Sequence, residues 1–241
     1  MSVLRAPATG VARLRVRTWH ADHQVAHITP AADGFGPLTT EEVRRCVAEL
    51  RRDGYSGAVT AAMARADQLP FLEAGFVPAE RLHLLLHPLD ELPDPVLAAP
   101  AQIRRGRRRE LDQLLAVDRA AFSGIWRLDR AGIEEALSAT PAVHLRVARD
   151  SGETIGYAIC GRAAHRGYVQ RLAVHPHAQG QGLGGRLLLD GLRWLRRWGA
   201  RDALVNTQEG NDRSLRLYQR MGFVLQPDGL TVLRLALGDV A

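Results

Sequence analysis

The chain has 241 residues, of which 46% are apolar, 24% charged and 5% aromatic, a globular composition with room for one large domain or two small ones. No apolar run approaches the roughly 18 residues of a bilayer-spanning helix, the N-terminus lacks the apolar stretch of a secretion signal, and Cys46 and Cys160 have no CxxC spacing. These features argue against an integral membrane protein, a disulfide scaffold or a thiolate metal site, and predict a cytoplasmic location. The net charge of +6 is carried by arginine alone: residues 1–96 hold 10 Arg against 12 acids, and residues 97–241 hold 22 against 14. An anionic ligand or partner is therefore expected for the C-terminal part.

In chain order, His20, His23 and His27 suggest a metal cluster, but Trp19 and Val25 read as extended chain, and no metal is expected. The stretch LDELPDPVLAAPA, Leu89 to Ala101, has three prolines and no helical or strand period, which predicts a connector with a boundary near residue 96. A short strand then leads into a helix with Leu111, Leu114, Leu115, Val117 and Phe122 on one side, and a second short helix covers about 130–138. AVHLRVARD and TIGYAICGRAA, joined at Ser151-Gly152-Glu153, predict a hairpin, and a further strand covers Tyr168 to Val174.

After that strand comes AQGQGLGG, then an apolar-striped helix ending at Gly199, a strand at Ala203 to Asn206 and a helix at about Asp212 to Met221. Gly222 suits the left-handed helix end, and two strands, about 223–225 and 230–237, close the chain. The whole is an α/β (α+β) arrangement, a mixed central sheet with helices on both faces.

Gln179-Gly180-Gln181-Gly182-Leu183-Gly184-Gly185 lies between a strand and a helix. Glycine permits positive φ and removes the Cβ atoms that keep an anion from the amides, and the following helix start adds a favourable dipole. A tight turn without a ligand fits the same residues. The string also satisfies the dinucleotide-binding GxGxxG, but residues 175–179 separate it from its strand, and too few α/β segments follow for a doubly wound sheet. A GxxxxGK[ST] phosphate loop is excluded, because there is no lysine.

Downstream, N-x-x-S-x-x-x-Y-x-x-x-G-F runs from Asn211 to Phe223. With Q-x-x-G-x-G met by Gln179, Gly182 and Gly184, the region from about residue 101 to the end resembles the GNAT superfamily of acyl-CoA-dependent N-acyltransferases. The resemblance implies the GNAT fold over residues 97–241 and acetyl-CoA as co-substrate. It implies that Leu172, Ala173 and Val174 receive the pantetheine arm, that Gly180, Gln181, Gly182, Leu183, Gly184 and Gly185 hold the pyrophosphate, and that Asn206, Asn211 and Ser214 complete the cofactor site. Tyr218 matches the family's general acid, with half-buried packing as the structural alternative, and the Val174 amide is the expected oxyanion donor. Direct attack by an amine needs no nucleophile from Cys46 or Cys160.

Some relatives carry glutamate twelve residues before the tyrosine; here it is Asn206, whose amide cannot take a proton, so Glu209, His175 or water must serve. Phe122, Trp126, Arg127 and the hairpin around Asp228 are the acceptor-side candidates, with core capping an equal reading of the two aromatics. Residues 1–96 read as a smaller, degenerate GNAT-like half-domain. RRDGYSGAVTAA (51–62) parallels RRWGARDALVNT (196–207), and FLEAGFV (71–77) parallels YQRMGFV (218–224), yet Phe71 replaces Tyr218 and Gly34-Phe35-Gly36-Pro37-Leu38 replaces the glycine loop. The run Arg104-Arg105-Gly106-Arg107-Arg108-Arg109 invites nucleic-acid phosphates, but a solvated edge is the commoner outcome, so neither nucleic acid nor membrane is an expected partner. The expected activity is N-acetyl transfer from acetyl-CoA to a primary amine of a protein N-terminus, lysine or small molecule. The alternative is an acyl-CoA-binding regulatory or scaffolding module.

Overall fold

The computed structural model describes residues 13–19, 22–30, 37–94 and 101–238. His20, Gly34, Phe35, Gly36 and the proposed boundary at residue 96 lie outside the described residues. The chain divides between Leu82 and His83: one compact unit holds the described residues up to Leu82 together with those from Asp228 onward, and the other runs His83–Pro227.

In the first unit, β1 (Leu14–Trp19) and β2 (Asp22–Pro30) pair antiparallel. His23 and His27 lie on β2, and among the described residues no cluster of metal-ligating side chains occurs. Helix α1 (Thr40–Arg52) starts at a capping box: Glu42 N donates to Thr39 Oγ1 at 3.3 Å and Thr39 N donates to Glu42 Oε2 at 2.8 Å. The buried Val43, Cys46, Val47 and Leu50 form its core stripe. Strand β3 (Gly57–Thr60) lies parallel to β2, helix α2 (Arg65–Glu73) follows, and β4 (Val77–His87) starts here and ends in the second unit.

The second unit continues with β5 (Gln102–Arg105), α3 (Leu111–Ala121), α4 (Arg130–Ala136), β6 (Ala142–Asp150), β7 (Glu153–Ala163) and β8 (Arg166–Val174). Ser151 and Gly152 take the left-handed region at the β6–β7 turn, as the hairpin requires. Then come α5 (Leu183–Arg197), β9 (Asp202–Gln208), α6 (Asp212–Arg220) and β10 (Val224–Leu225). The sheet of this unit runs β4-β9-β8-β7-β6-β5, with β10 beside β4. Strand β7 shows why both sheet faces are covered. Tyr157 and Ile159 pack with Leu114 and Val117 of α3, while Ala158 packs with Leu187 of α5 and Cys160 with Leu188 and Leu192.

The strand β11 (Leu230–Ala236) differs from expectation. It pairs with β3 and with the first part of β4, so it completes the first unit, and only β10 of the two closing strands belongs to the second. The connector also begins later than its prolines suggest. Leu89 is 2% exposed in the core around α5, and the amide of Leu89 donates to His87 Nδ1 at 3.0 Å. Among the described residues no helix is long and apolar enough to cross a membrane.

Candidate active site

Strand β8 sets the geometry. Its parallel ladder with β9 covers only Arg166↔Asp202, Gly167↔Ala203 and Tyr168↔Leu204. Beyond Tyr168 the two strands part, and a bulge at Gln170 against β7 re-aims the rest of β8. The antiparallel ladder with β7 continues on the other edge as far as His175, whose amide donates to Ile155 O at 2.9 Å. Strand alternation therefore turns the amides of Leu172 and Val174 toward the edge that β9 has left.

The chain then turns through Gly180 and Gly182, at φ 81° and 78°, a region open to glycine at little cost. Gly182 caps α5 with no side-chain hydrogen bond. Among the described residues, no protein acceptor takes the amide hydrogens of Gly180 through Gly185. They stand at the positive end of a 15-residue helix, so the loop presents main-chain donors to an anion. Gln179 has a different part: its Nε2 donates to Val174 O at 2.8 Å and its Oε1 accepts from Arg213, tying the strand end to α6.

Asn211 caps α6 by accepting from Ser214 N at 3.1 Å. One face of this helix brings Ser214, Leu217 and Tyr218 to the cleft. Tyr218 is 6% exposed, packs edge-on to Phe223 at 5.6 Å, and has no protein hydrogen-bond partner for its hydroxyl among the described residues. Burial pushes its pKa well above the ordinary phenol value, with Arg171 opposing weakly, so the hydroxyl keeps its proton. Burial likewise pushes the Cys160 thiol up to about 12 and the Cys46 thiol up to about 11, leaving neither as a ready thiolate.

The facing wall is the segment between α3 and α4, and a network the sequence did not reveal anchors it. Asp118, wholly buried, accepts two bonds from Arg171 at 2.8 Å each, one from Tyr157 Oη at 2.5 Å and one from Leu128 N at 2.8 Å. Arg171 also donates to Trp126 O at 2.7 Å and stacks 3.5 Å over the Phe122 ring. The available signal was Asp118 on the apolar stripe of α3 and Arg171 in the interior of strand β8. A buried charge of each sign needs its partner.

These walls enclose a cleft of about 370 Å³. Leu172, Ala173, Val174, Gln179, Gly180, Gly182, Leu183, Gly184, Gly185, Asn211, Ser214 and Tyr218 all line it, as do Phe122 and Trp126. Gln181 does not, its side chain donating to His177 O at 3.1 Å. Asn206 is exposed outside the cleft, whereas Gln208, two residues along the same strand face, lines it. Arg213 and Arg220 of α6 also line it and were not anticipated. Among the described lining residues there is no carboxylate or imidazole, and neither Glu209 nor His175 reaches it. Arg127 Nε donates to Phe122 O at 2.9 Å away from the cleft, and Asp228 belongs to the first unit.

Comparison with known proteins agrees with this architecture. The model of the acetyltransferase (GNAT) family matches residues 111–223. A mycothiol acetyltransferase of Mycobacteroides abscessus is 30% identical over 217 residues, covering 82% of this chain and 70% of that protein. The GCN5-related N-acetyltransferase of Sphaerobacter thermophilus superposes with a TM-score of 0.65 at 17% identity, covering 93% of this chain and 76% of the other. A tandem GNAT protein from the clavulanic acid biosynthesis pathway gives 0.67 at 12% identity, covering 95% and 79%. With its parted strands, its open glycine turn and these relatives, the chain belongs to the GNAT family of acetyltransferases.

Proposed function

We propose that the chain transfers an acetyl group from acetyl-CoA to a primary amine, with both substrates bound together. The observation that carries this reading is the row of unclaimed amides from Gly180 to Gly185, continuous with the open edge of β8. That row fits a pyrophosphate, and the open edge fits an amide-bearing arm. Acetyl-CoA, when bound, supplies the acetyl group as a thioester.

The chain's own residues do the rest. The loop amides hold the diphosphate, and the edges of Leu172 and Val174 orient the arm. The Val174 amide faces the negative charge that develops on the acyl oxygen. The Tyr218 phenol, kept protonated by burial, returns a proton to the departing sulfur. With no carboxylate or imidazole on the described cleft walls, water carries away the amine's proton. In this reading the chemistry lies within residues 97–241, on the part that belongs to the unit His83–Pro227. Residues 1–96 are a degenerate copy, supported by the shared β-α-β-α-β order of β2-α1-β3-α2-β4 and β8-α5-β9-α6-β10.

Acetyl-CoA at about 100 times its dissociation constant stabilises the folded chain by about 2.7 kcal/mol, readable in a melting scan. No shift at millimolar concentration sinks the proposal. Free-thiol release is then followed across peptide N-termini, lysine peptides and small-molecule amines, with product mass as the readout for thiol-bearing acceptors, a class suggested by the relative named a mycothiol acetyltransferase. The base-free cleft also favours a second reading, an acyl-CoA-binding module, which predicts the melting shift without thiol release from any amine.

A further inference from the structure

A second basic cavity lies in the same unit and shares no lining residue with the cleft. It is about 460 Å³, and its walls are Arg104 of β5, Arg107 and Arg109 of the turn into α3, Glu110, Gln113 of α3 and Arg149 of β6. Four guanidinium groups face one carboxylate, and that carboxylate is already engaged. Arg104 donates to both oxygens of Glu110, and Arg107 N adds a third bond at 2.9 Å. Among the described residues Arg107 and Arg109 have exposed side chains and no ion-pair partner. Arg149 uses one terminal nitrogen on Gly152 O, while its Nε is buried with no acceptor. Gln113, whose Oε1 accepts from Thr154 Oγ1 at 2.7 Å, contributes an amide.

A buried donor without an acceptor, beside unneutralised like charges in a concavity, describes a site that lacks its anion. The planar fork of a guanidinium matches phosphate oxygens two at a time. We infer that this cavity is an anion site for the phosphate or diphosphate group of a small molecule, separate from the cleft that faces Tyr218. It does not suit a nucleic-acid strand, because no aromatic side chain stands among its lining residues to stack a base. The arginine run of residues 104–109 thereby divides. Arg104 serves the fold through Glu110, while Arg107 and Arg109 join Arg149 at the site.

Pyrophosphate titrated by calorimetry into the full chain saturated with CoA, which fills the glycine loop in the proposed function on which this test rests, checks the inference. Wild type is expected to give saturable binding, weakened about tenfold or more in Arg149→Gln and in Arg107→Gln, the loss of one charge-assisted bond. Arg213→Gln, at the CoA-filled cleft, is expected to leave this second binding event unchanged. Arg107 is exposed, so its variant keeps the fold even if Arg149→Gln does not. A wild type without saturable binding overturns the inference, as does loss in Arg213→Gln with retention in the other two, which moves the anion to the glycine loop. Short duplex DNA that binds and loses affinity in the same two variants makes the patch a nucleic-acid surface and also overturns it. Comparison of CoA with dephospho-CoA closes the remaining route. If Arg149→Gln weakens CoA but not dephospho-CoA, the site serves the cofactor's own phosphate, which overturns the inference of a separate site; equal affinities support it.

Discussion

The run β2-α1-β3-α2-β4 of the first unit and the run β8-α5-β9-α6-β10 of the second share backbone detail down to single turns. Gly54 and Gly199 close α1 and α5 at φ 80° and 83°, with Tyr55 N and Ala200 N each donating to a carbonyl five residues back at 3.0 Å. Phe71 and Phe76 meet edge-on at 5.4 Å as Tyr218 and Phe223 do at 5.6 Å, each pair spanning a glycine of positive φ. The differences fall at the points that border the cleft of the second unit. The β2–β3 ladder runs from Val25↔Gly57 to Ile28↔Thr60 and is extended by Ala61 N to Ile28 O at 2.8 Å, whereas β8 and β9 part after Tyr168 and Leu204. The start of α1 is filled by Thr39 and Glu42, whereas that of α5 is open. Phe71 has no hydroxyl where Tyr218 has one. Equal packing with unequal openness separates residues that hold a fold from residues that border an open cleft.

Four substitutions test that separation. Tyr218→Phe is expected to lower turnover by about two to four orders of magnitude while leaving acetyl-CoA affinity unchanged, measured by thiol release and titration. Because burial holds the phenol above its ordinary value, the protonated form persists as pH rises, and wild-type turnover should show no alkaline fall near pH 10 from this group. Arg171→Ala leaves Asp118 buried without its cation and should cost roughly 3–5 kcal/mol in chemical denaturation. It should also release Trp126, raising KM for the acceptor in the molecules that fold. Phe71→Tyr, at a wholly buried position, should cost about 1–3 kcal/mol and create no activity, since its hydroxyl has no partner or cleft. Thr39→Ala removes one cap and should cost about 1 kcal/mol with turnover per folded molecule unaltered. A turnover loss in Thr39→Ala, or none in Tyr218→Phe, would break the division between the two runs.

The glycine turn, the striped α5 and the spacing from Asn211 to Tyr218 were legible because each is a local property. Positive φ selects glycine, and a 3.6-residue period selects a buried helix face. Asp118 was not legible as an anchor, because its partners Tyr157 and Arg171 lie 39 and 53 residues away. Asn206 and Gln208 alternate onto one face of β9, and only the point at which β8 leaves decides which of them borders the cleft. The Arg104–Arg109 run looked uniform in one dimension, yet Glu110 and Arg149 sort its members into structural and free cations.

The amino-acid sequence by itself determined the elements of the second unit from β5 to β10, the anion-receptive turn and the candidate phenol, since backbone preference and hydrophobic period act over a few residues. Tertiary structure alone decided that β11 completes the first unit, that β4 ends beside β9, and that a buried ion pair holds the wall opposite Tyr218. A strand's apolar alternation says that it must pair and bury one face. Which partner it takes depends on the free energy of burial summed over the whole chain.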